Sequence, residues 1–469
     1  MTHQTDIAIL GAGPGGYVAA LRATQLDARV TLVEEDAVGG VCLNRGCIPT
    51  KALLRSAQVY RLVQEADTFG LHIEGSVTPD WNAIQSRKQT IVRRLVRGVD
   101  VLLRKAGVQV IQGRGRFVGP RSIEVSTPTG TEHIEAQNVI IATGSRPARL
   151  PLPGMDLPGV IDSTQCLSLE EVPSRLLIVG GGVVGVEFAS IYGALGSDVT
   201  IVEMLDRLLP QMDTDLASGL ARTLHQRGIH SHLSSRVTQV DLIEGALKAA
   251  VITPEGAASI DADQILVAVG RRPNVEDLGL EAIGVRVEKS GIPVDAQMQT
   301  NVPGVYAIGD VTGHLLLAHV AMEGGKVAAE NALGHTARLN LSAVPACAYT
   351  DPEVASVGLT EAQARDAGHT LQIGRFPLNA NGKALTYGEA HGFVKIVSDT
   401  RFGEVLGMHI LAPHASDLIH EGALAMTLEA TLDELIATIH GHPALGEAVH
   451  EAAMAARGEA LHLPRRGAS

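Results

Sequence analysis

Cys42 and Cys47 stand four residues apart in the stretch GGVCLNRGCIPTK (39–51), in a 469-residue chain with only two other cysteines, Cys166 and Cys347. Two thiols at this spacing can grip a metal, staple the backbone or exchange electrons. A zinc clip wants two more soft ligands at short spacing, and Cys166 and Cys347 are isolated. Four cysteines make no secreted disulfide framework at this length. A bond between Cys42 and Cys47 needs Cα atoms within about 7 Å, whereas five residues of regular helix rise about 7.5 Å. If the two are joined, the segment between them is distorted, and Gly46 and Pro49 make that easier. A distorted, reducible bond suits electron transfer; a pair of buried thiols is the plainer alternative.

The elements around the pair are repeated in the chain. DIAIL (6–10) reads as a short apolar strand running into Gly11, Gly13 and Gly16, then a helix carrying Ala20. LLIV (176–179) runs into Gly180, Gly182 and Gly185, then a helix carrying Ala189. A second strand follows each and ends on an acid, Glu34 in TLVE and Glu203 in TIVE, with the same offset from the first glycine: 34 − 11 = 23 and 203 − 180 = 23. One glycine-rich turn is weak evidence, but strand, turn, helix and acid in order, twice, point to two dinucleotide-binding units. The first glycine permits a tight turn, the second lets the backbone approach a pyrophosphate, and the third lets helix pack on strand. The positive helix end then faces the phosphates. Each acid is expected to accept hydrogen bonds from an adenosine ribose. Glu203 also repels a 2′-phosphate, which favours NAD over NADP despite nearby Arg207. VIIATGSRP (139–147) and ILVAVGRRP (265–273) read as buried strands that close the two units at glycine turns, Gly144 and Gly270.

Composition bounds the rest. The length suggests about three domains. A net charge of −13 argues against nucleic acid and anionic membranes as partners. The apolar run from Leu176 to Val186 is interrupted by glycines and falls short of the ~20 residues a membrane span needs. MTHQTDIAIL has no basic stretch ahead of an apolar one, so it reads as unprocessed and the expected location is the cytoplasm.

The cysteine segment resembles the active-site signature of the class I pyridine nucleotide-disulfide oxidoreductases, in particular their dihydrolipoamide-oxidising branch. The resemblance covers nearly the whole chain and includes TNVPGVYAIGDVTG (300–313), YTDPEVASVGLTE (349–361), LGMHILAPHASDLI (406–419) and TIHGHPALGEAVHEAA (438–453). It implies an α/β fold of two Rossmann-like domains, one for FAD and one for NAD, plus a C-terminal α+β dimerisation domain. The expected division is 1–148 for FAD and the redox disulfide, 149–272 for NAD, 273–345 completing the FAD site, and 346–469 as the interface. Residue by residue, it implies that Cys42 exchanges with substrate and that Cys47 contacts the flavin. Lys51 would sit by the flavin and pair with Glu187, Asp310 would bond the ribityl chain, and Thr143 and Gly144 would touch FAD. His442 and Glu447 would be the acid–base pair, supplied by the other subunit of a homodimer. The residues support that last role independently, because a thiolate performs disulfide exchange and histidine takes protons near neutral pH, with a carboxylate fixing its tautomer. The chain has 18 histidines, one near a C-terminus is usually just a surface residue, and His440 reads as structural.

The implied activity is oxidation of dihydrolipoamide, carried on a separate lipoyl-bearing protein of a 2-oxoacid dehydrogenase or glycine cleavage complex, with reduction of NAD⁺. Glutathione reductase-like chains prefer NADPH and want arginines near Glu203. Mercuric reductase-like chains usually add a cysteine pair at the C-terminus, which LHLPRRGAS lacks. A redox sensor or structural subunit is the non-enzyme rival. Three departures from the family pattern stand out: Ala444 replaces a hydroxyl residue that would help cap the next helix, Val320 follows Ala318-His319, and LAPHASDLI (411–419) differs from the usual string.

Overall fold

A computed structural model describes residues 2–464. The end of the LHLPRRGAS tail and the outer limits of the 1–148 and 346–469 divisions lie outside the described residues. The chain separates into two compact units.

The first comprises residues 2–52, Asn82–Ala148 and Gly270–Asn340. Its sheet runs Gln109–Gln112, Val30–Glu34, Thr2–Leu10, Gly130–Ile141, Ser122–Thr127, Arg114–Gly119, with Val305–Ala307 also on Gly130–Ile141. The pairings of Thr2–Leu10, Val30–Glu34 and Gln109–Gln112 are parallel. Every residue of VTLVE is buried, as strands covered on both faces require. The first strand is longer than its apolar core DIAIL suggests. Thr2 to Thr5 pair with His133 to Ala136, so a long partner strand recruits polar residues that no local pattern marks. The helix Pro14–Gln25 packs on Ala318–Ala332 through glycines: a Cβ at Gly325 would lie 2.5 Å from the Gly15 carbonyl oxygen.

The second unit comprises Leu53–Trp81, Arg149–Val269 and residues 341–464. It holds a parallel sheet in the order His230–His232, Asp198–Val202, Arg175–Val179, Gln264–Val267, Val160–Ile161, and a three-stranded antiparallel sheet over residues 236–262. Its C-terminal part is a five-stranded antiparallel sheet ordered Ala346–Ala348, Glu353–Gly358, Val405–Ala412, Phe393–Asp399, Leu371–Pro377. Helix Glu447–Arg457 lies so close to that sheet that a Cβ at Gly374 would meet the Ala452 carbonyl oxygen at 1.8 Å. Two parallel-sheet units and a C-terminal antiparallel sheet with helices make up the expected α/β class.

Lys395, 3% exposed in the middle of a strand, reaches Asp213, Asp215 and Glu361 at 2.9 Å each. Removing Lys395 leaves the buried Asp213 carboxylate without its cation, while Asp215 and Glu361, 40% and 30% exposed, still reach solvent. Lys395→Met is therefore expected to reduce folding stability by about 3–5 kcal/mol, read as a lowered denaturation midpoint. An unchanged midpoint would show the cluster to be dispensable.

Candidate active site

The two glycine turns have the same construction. Gly11 has φ +102° and Gly180 φ +113°. A Cβ would lie 2.4 Å from the Ala142 carbonyl oxygen at Gly11, and 2.5 Å from that of Ala268 at Gly180. The strands that close each unit therefore press on the turns that open them. At Gly16 and Gly185 a Cβ would fall 1.9 and 2.0 Å from the carbonyl oxygens of Gly11 and Gly180, which shows why helix and strand need glycine there. Gly13 and Gly182 instead face open space at the N-caps of Pro14–Gln25 and Val183–Ala194. Neither cap has a side-chain hydrogen bond, so helix N–H groups point into a space that suits a pyrophosphate.

The strand-end acids have a second task that the sequence did not reveal. Glu34 accepts from Ala12 N–H at 2.7 Å and Asp36 N–H at 2.9 Å. Glu203 accepts from Gly181 N–H at 2.6 Å and Leu205 N–H at 2.8 Å. Each carboxylate thus holds its glycine turn in shape and keeps lone pairs for a ribose. Burial pushes Glu34 up against the opposing pull of the Ala12 and Asp36 amides. Arg207 is engaged elsewhere, with Asp206 at 2.9 Å and Thr214 at 2.7 Å.

Gly144 (φ +69°) and Gly270 (φ +115°) lie at the turns after the closing strands, and Ser145–Pro147 pairs antiparallel with Arg271–Pro273. Thr143 and Asn274 exchange hydrogen bonds: the Thr143 hydroxyl donates to the Asn274 carbonyl at 2.7 Å, and the Asn274 amide donates to the Thr143 carbonyl at 2.9 Å. The Ser145 hydroxyl donates to the Asp310 carboxylate, and Arg271 bonds Ser145 Oγ at 2.7 Å while standing 3.7 Å from Asp310. Ser145, Arg271 and Asn274 were not singled out from sequence. The available signal was the repeated G-[SR]-R-P string, which supplies both Ser145 and Arg271.

Between the cysteines the helix breaks, as a close pairing requires. Helix Gly40–Arg45 ends at Gly46, and helix Cys47–Gln64 starts on the next residue. A Cβ at Gly46 would lie 2.9 Å from the Val41 carbonyl oxygen, and the Thr50 hydroxyl donates to the Gly46 carbonyl at 2.6 Å. The pair stands as two hydrogen-bonded thiols. That bond, and then burial, push the Cys42 thiol well above its ordinary value, while the Lys51 charge pulls it down. Half-buried Tyr17, unremarked in the sequence, is raised by burial and then by Cys42. No cluster of metal-ligating side chains occurs among the described residues, and no helix among them is long and apolar enough to cross a membrane.

His442 Nδ1 lies 2.9 Å from Glu447, with the His442 side chain 80% exposed. The second Glu447 oxygen accepts from Ala444 N–H at 2.8 Å. Burial raises Glu447, but the Ala444 amide and His442 outweigh it and hold the carboxyl below its usual range. The Glu447 carboxylate thus accepts from the backbone N–H three residues before it, one half of a capping box; the other half needs a hydroxyl at 444, which Ala444 lacks. Asn381 fixes the Ala444 carbonyl at 3.0 Å, which anchors the turn from its other side. His440 forms its own dyad with Glu421 at 2.9 Å and is nearly buried. Glu187 is buried and accepts from Tyr349 N–H at 2.9 Å. Val320 is buried in helix Ala318–Ala332.

Comparison with known proteins agrees with this construction. Residues 5–325 match the pyridine nucleotide-disulphide oxidoreductase family, and residues 344–453 match its dimerisation domain. A dihydrolipoyl dehydrogenase of Bacillus subtilis is 43% identical over 97% of this chain and 99% of its own length. One from Thermus scotoductus is 44% identical over 98% and 99%. Among solved structures, LpdA of Mycobacterium tuberculosis superposes with a TM-score of 0.88 at 32% identity, covering 96% of this chain and 99% of that one. With its paired glycine cradles, its adjacent thiols and its matched C-terminal sheet, the chain belongs to the pyridine nucleotide-disulphide oxidoreductase family.

Proposed function

We propose that this enzyme oxidises protein-bound dihydrolipoamide to lipoamide and reduces NAD⁺, using Cys42 and Cys47 as its redox pair. The observation that carries the reading is the hydrogen-bonded thiol pair at the Gly46 helix break, in a chain 43% identical to a dihydrolipoyl dehydrogenase over nearly its full length. Its cofactors are FAD and NAD; when bound, they carry electrons from the cysteine pair to the nicotinamide.

The substrate dithiol gives up two electrons and two protons. A substrate sulfur bonds to Cys42 Sγ as the Cys42–Cys47 disulfide opens; the second substrate sulfur then displaces Cys42, leaving a substrate disulfide and the two cysteines reduced. His442 takes the substrate proton, and Glu447 holds its Nδ1 side. A base is needed because the attacking species is the substrate thiolate and an ordinary thiol is mostly protonated near neutral pH.

Gly11, Gly13 and Gly16 with Glu34 cradle FAD, assisted by Lys51, Thr143, Gly144 and Asp310, while Gly270 closes the NAD unit. Gly180, Gly182 and Gly185 with Glu187 and Glu203 serve the nicotinamide side. Glu203 at its strand end, with Arg207 committed to Asp206 and Thr214, supports NAD over NADP. In this reading residues 1–148 hold FAD, 149–272 hold NAD, 273–345 complete the FAD site and 346–469 meet the second copy. The exposure of His442 and of Ile439, 97% exposed, supports a partner subunit covering that face.

Parallel steady-state kinetics test the assignment. Dihydrolipoamide with NAD⁺ is expected to exceed glutathione disulfide with NADPH in kcat/KM by about 100-fold or more. The opposite order would overturn it.

A further inference from the structure

The helix Trp81–Lys105 stands out against the charge of the rest of the chain. Within a protein of net charge −13 it carries seven Lys or Arg against one acid, Asp100. Its buried seam is Lys88, Val92, Val99 and Leu103. At 100° per residue, Arg93, Arg94 and Arg97 fall within an arc of about 100°, on the side opposite that seam, and all three are exposed. Arg104 is occupied by Asp100 at 2.6 Å. Among the described residues no carboxylate pairs with Arg93, Arg94 or Arg97. A solvated helix in an acidic protein has no need to concentrate unpaired cations on one stripe, since like charges at neighbouring turns repel.

The stripe is tied to the redox segment. Arg87 Nη1 donates at 3.1 Å to the carbonyl of Ala52, in the helix that begins at Cys47. Ala52 is about 7.5 Å of helix rise beyond Cys47, and Arg94 about two turns beyond Arg87. The basic stripe therefore sits on a helix that is hydrogen-bonded to the redox helix five residues beyond Cys47.

We infer that the Arg93–Arg94–Arg97 face is a docking surface for an acidic face of the protein that carries the dihydrolipoyl group, an inference that rests on the reading of the substrate above. An exposed cationic patch beside a reaction centre raises the encounter rate of an anionic partner, and its effect falls with salt. The repulsive charge elsewhere on the chain confines productive encounters to this side. Nucleic acid would also meet a basic stripe, but the net charge disfavours it and nothing about phosphate binding calls for the adjacent thiols.

The test uses the whole FAD-loaded enzyme with two substrates: free dihydrolipoamide, which is uncharged, and dihydrolipoyl lysine on an acidic lipoyl domain. For Arg93→Glu/Arg94→Glu/Arg97→Glu, kcat/KM toward the domain is expected to fall about 10-fold or more at low ionic strength. Its salt dependence should flatten, while turnover of free dihydrolipoamide stays within about 2-fold of the parent enzyme. The milder Arg→Gln triple variant should fall between the two. Equal loss with both substrates, or no loss with the domain, would overturn the docking face while leaving the functional reading intact. Inert parent enzyme with free dihydrolipoamide would overturn that reading and this inference with it. Salt-sensitive binding of a double-stranded oligonucleotide that the triple variant loses, with unchanged domain kinetics, would reassign the stripe to nucleic acid.

Discussion

Replacing Cys42 by serine is expected to lower NAD⁺-coupled oxidation of dihydrolipoamide by about 10⁴-fold or more, with flavin still bound. A serine hydroxyl cannot form the mixed disulfide, and no other described thiol substitutes for it. Cys166 is fully buried and pushed up by that burial, and Cys347 lies in a strand of the C-terminal sheet. The glycine cradle around Gly11, Gly13 and Gly16 does not touch the Cys42 side chain through any bond that the change removes, so the flavin absorbance should persist. Steady-state NADH formation together with the visible spectrum reads both halves of the expectation. Undiminished turnover by the serine variant would remove the cysteine pair from the mechanism.

The second large effect is at the acid–base pair. His442→Gln should cost about 10²–10⁴-fold in kcat with dihydrolipoamide, the usual contribution of a positioned general base. Reduction of the enzyme by NADH should be nearly unchanged, because that half does not draw a proton from the substrate thiol. Such a split separates loss of a base from loss of the fold. Glu447→Gln keeps an acceptor for Ala444 N–H but removes the charge behind His442, so its loss should be smaller. The Glu447 carboxyl is held below its usual range by the Ala444 amide and His442 against burial, so it is ionised wherever the histidine acts. Equal losses in both half-reactions for His442→Gln would point to misfolding and not to proton transfer.

The repeated turns were legible because their physics is local. A tight turn with positive φ at Gly11 or Gly180 and a helix N-cap two residues later leave a pattern of glycines at fixed spacing. The interruption at Gly46 was legible for a similar reason, since a regular helix cannot bring Cys42 and Cys47 together. The anchoring of the turn at Ala444 was not legible, because it depends on a partner distant in the chain. That turn is held by Asn381 and Glu447, which lie far from one another in sequence. The polar extension of the first strand was hidden because Thr2–Thr5 gain their strand partners from residues 133–136.

From the chain alone came two dinucleotide cradles, their order, the thiol pair and the histidine–carboxylate spacing, because each is written in residues a few positions apart whose backbone demands are steric. Tertiary structure alone decided that Glu34 and Glu203 bind the amides of their own glycine turns, that Ser145 joins Arg271 and Asp310, and that Lys395 sits buried among three acids. It also turned the arginines of one amphipathic helix into a single exposed stripe by burying the opposite seam. Such arrangements depend on which strands and helices become neighbours, and that choice is made by the summed burial of many distant side chains, which no short window of sequence contains.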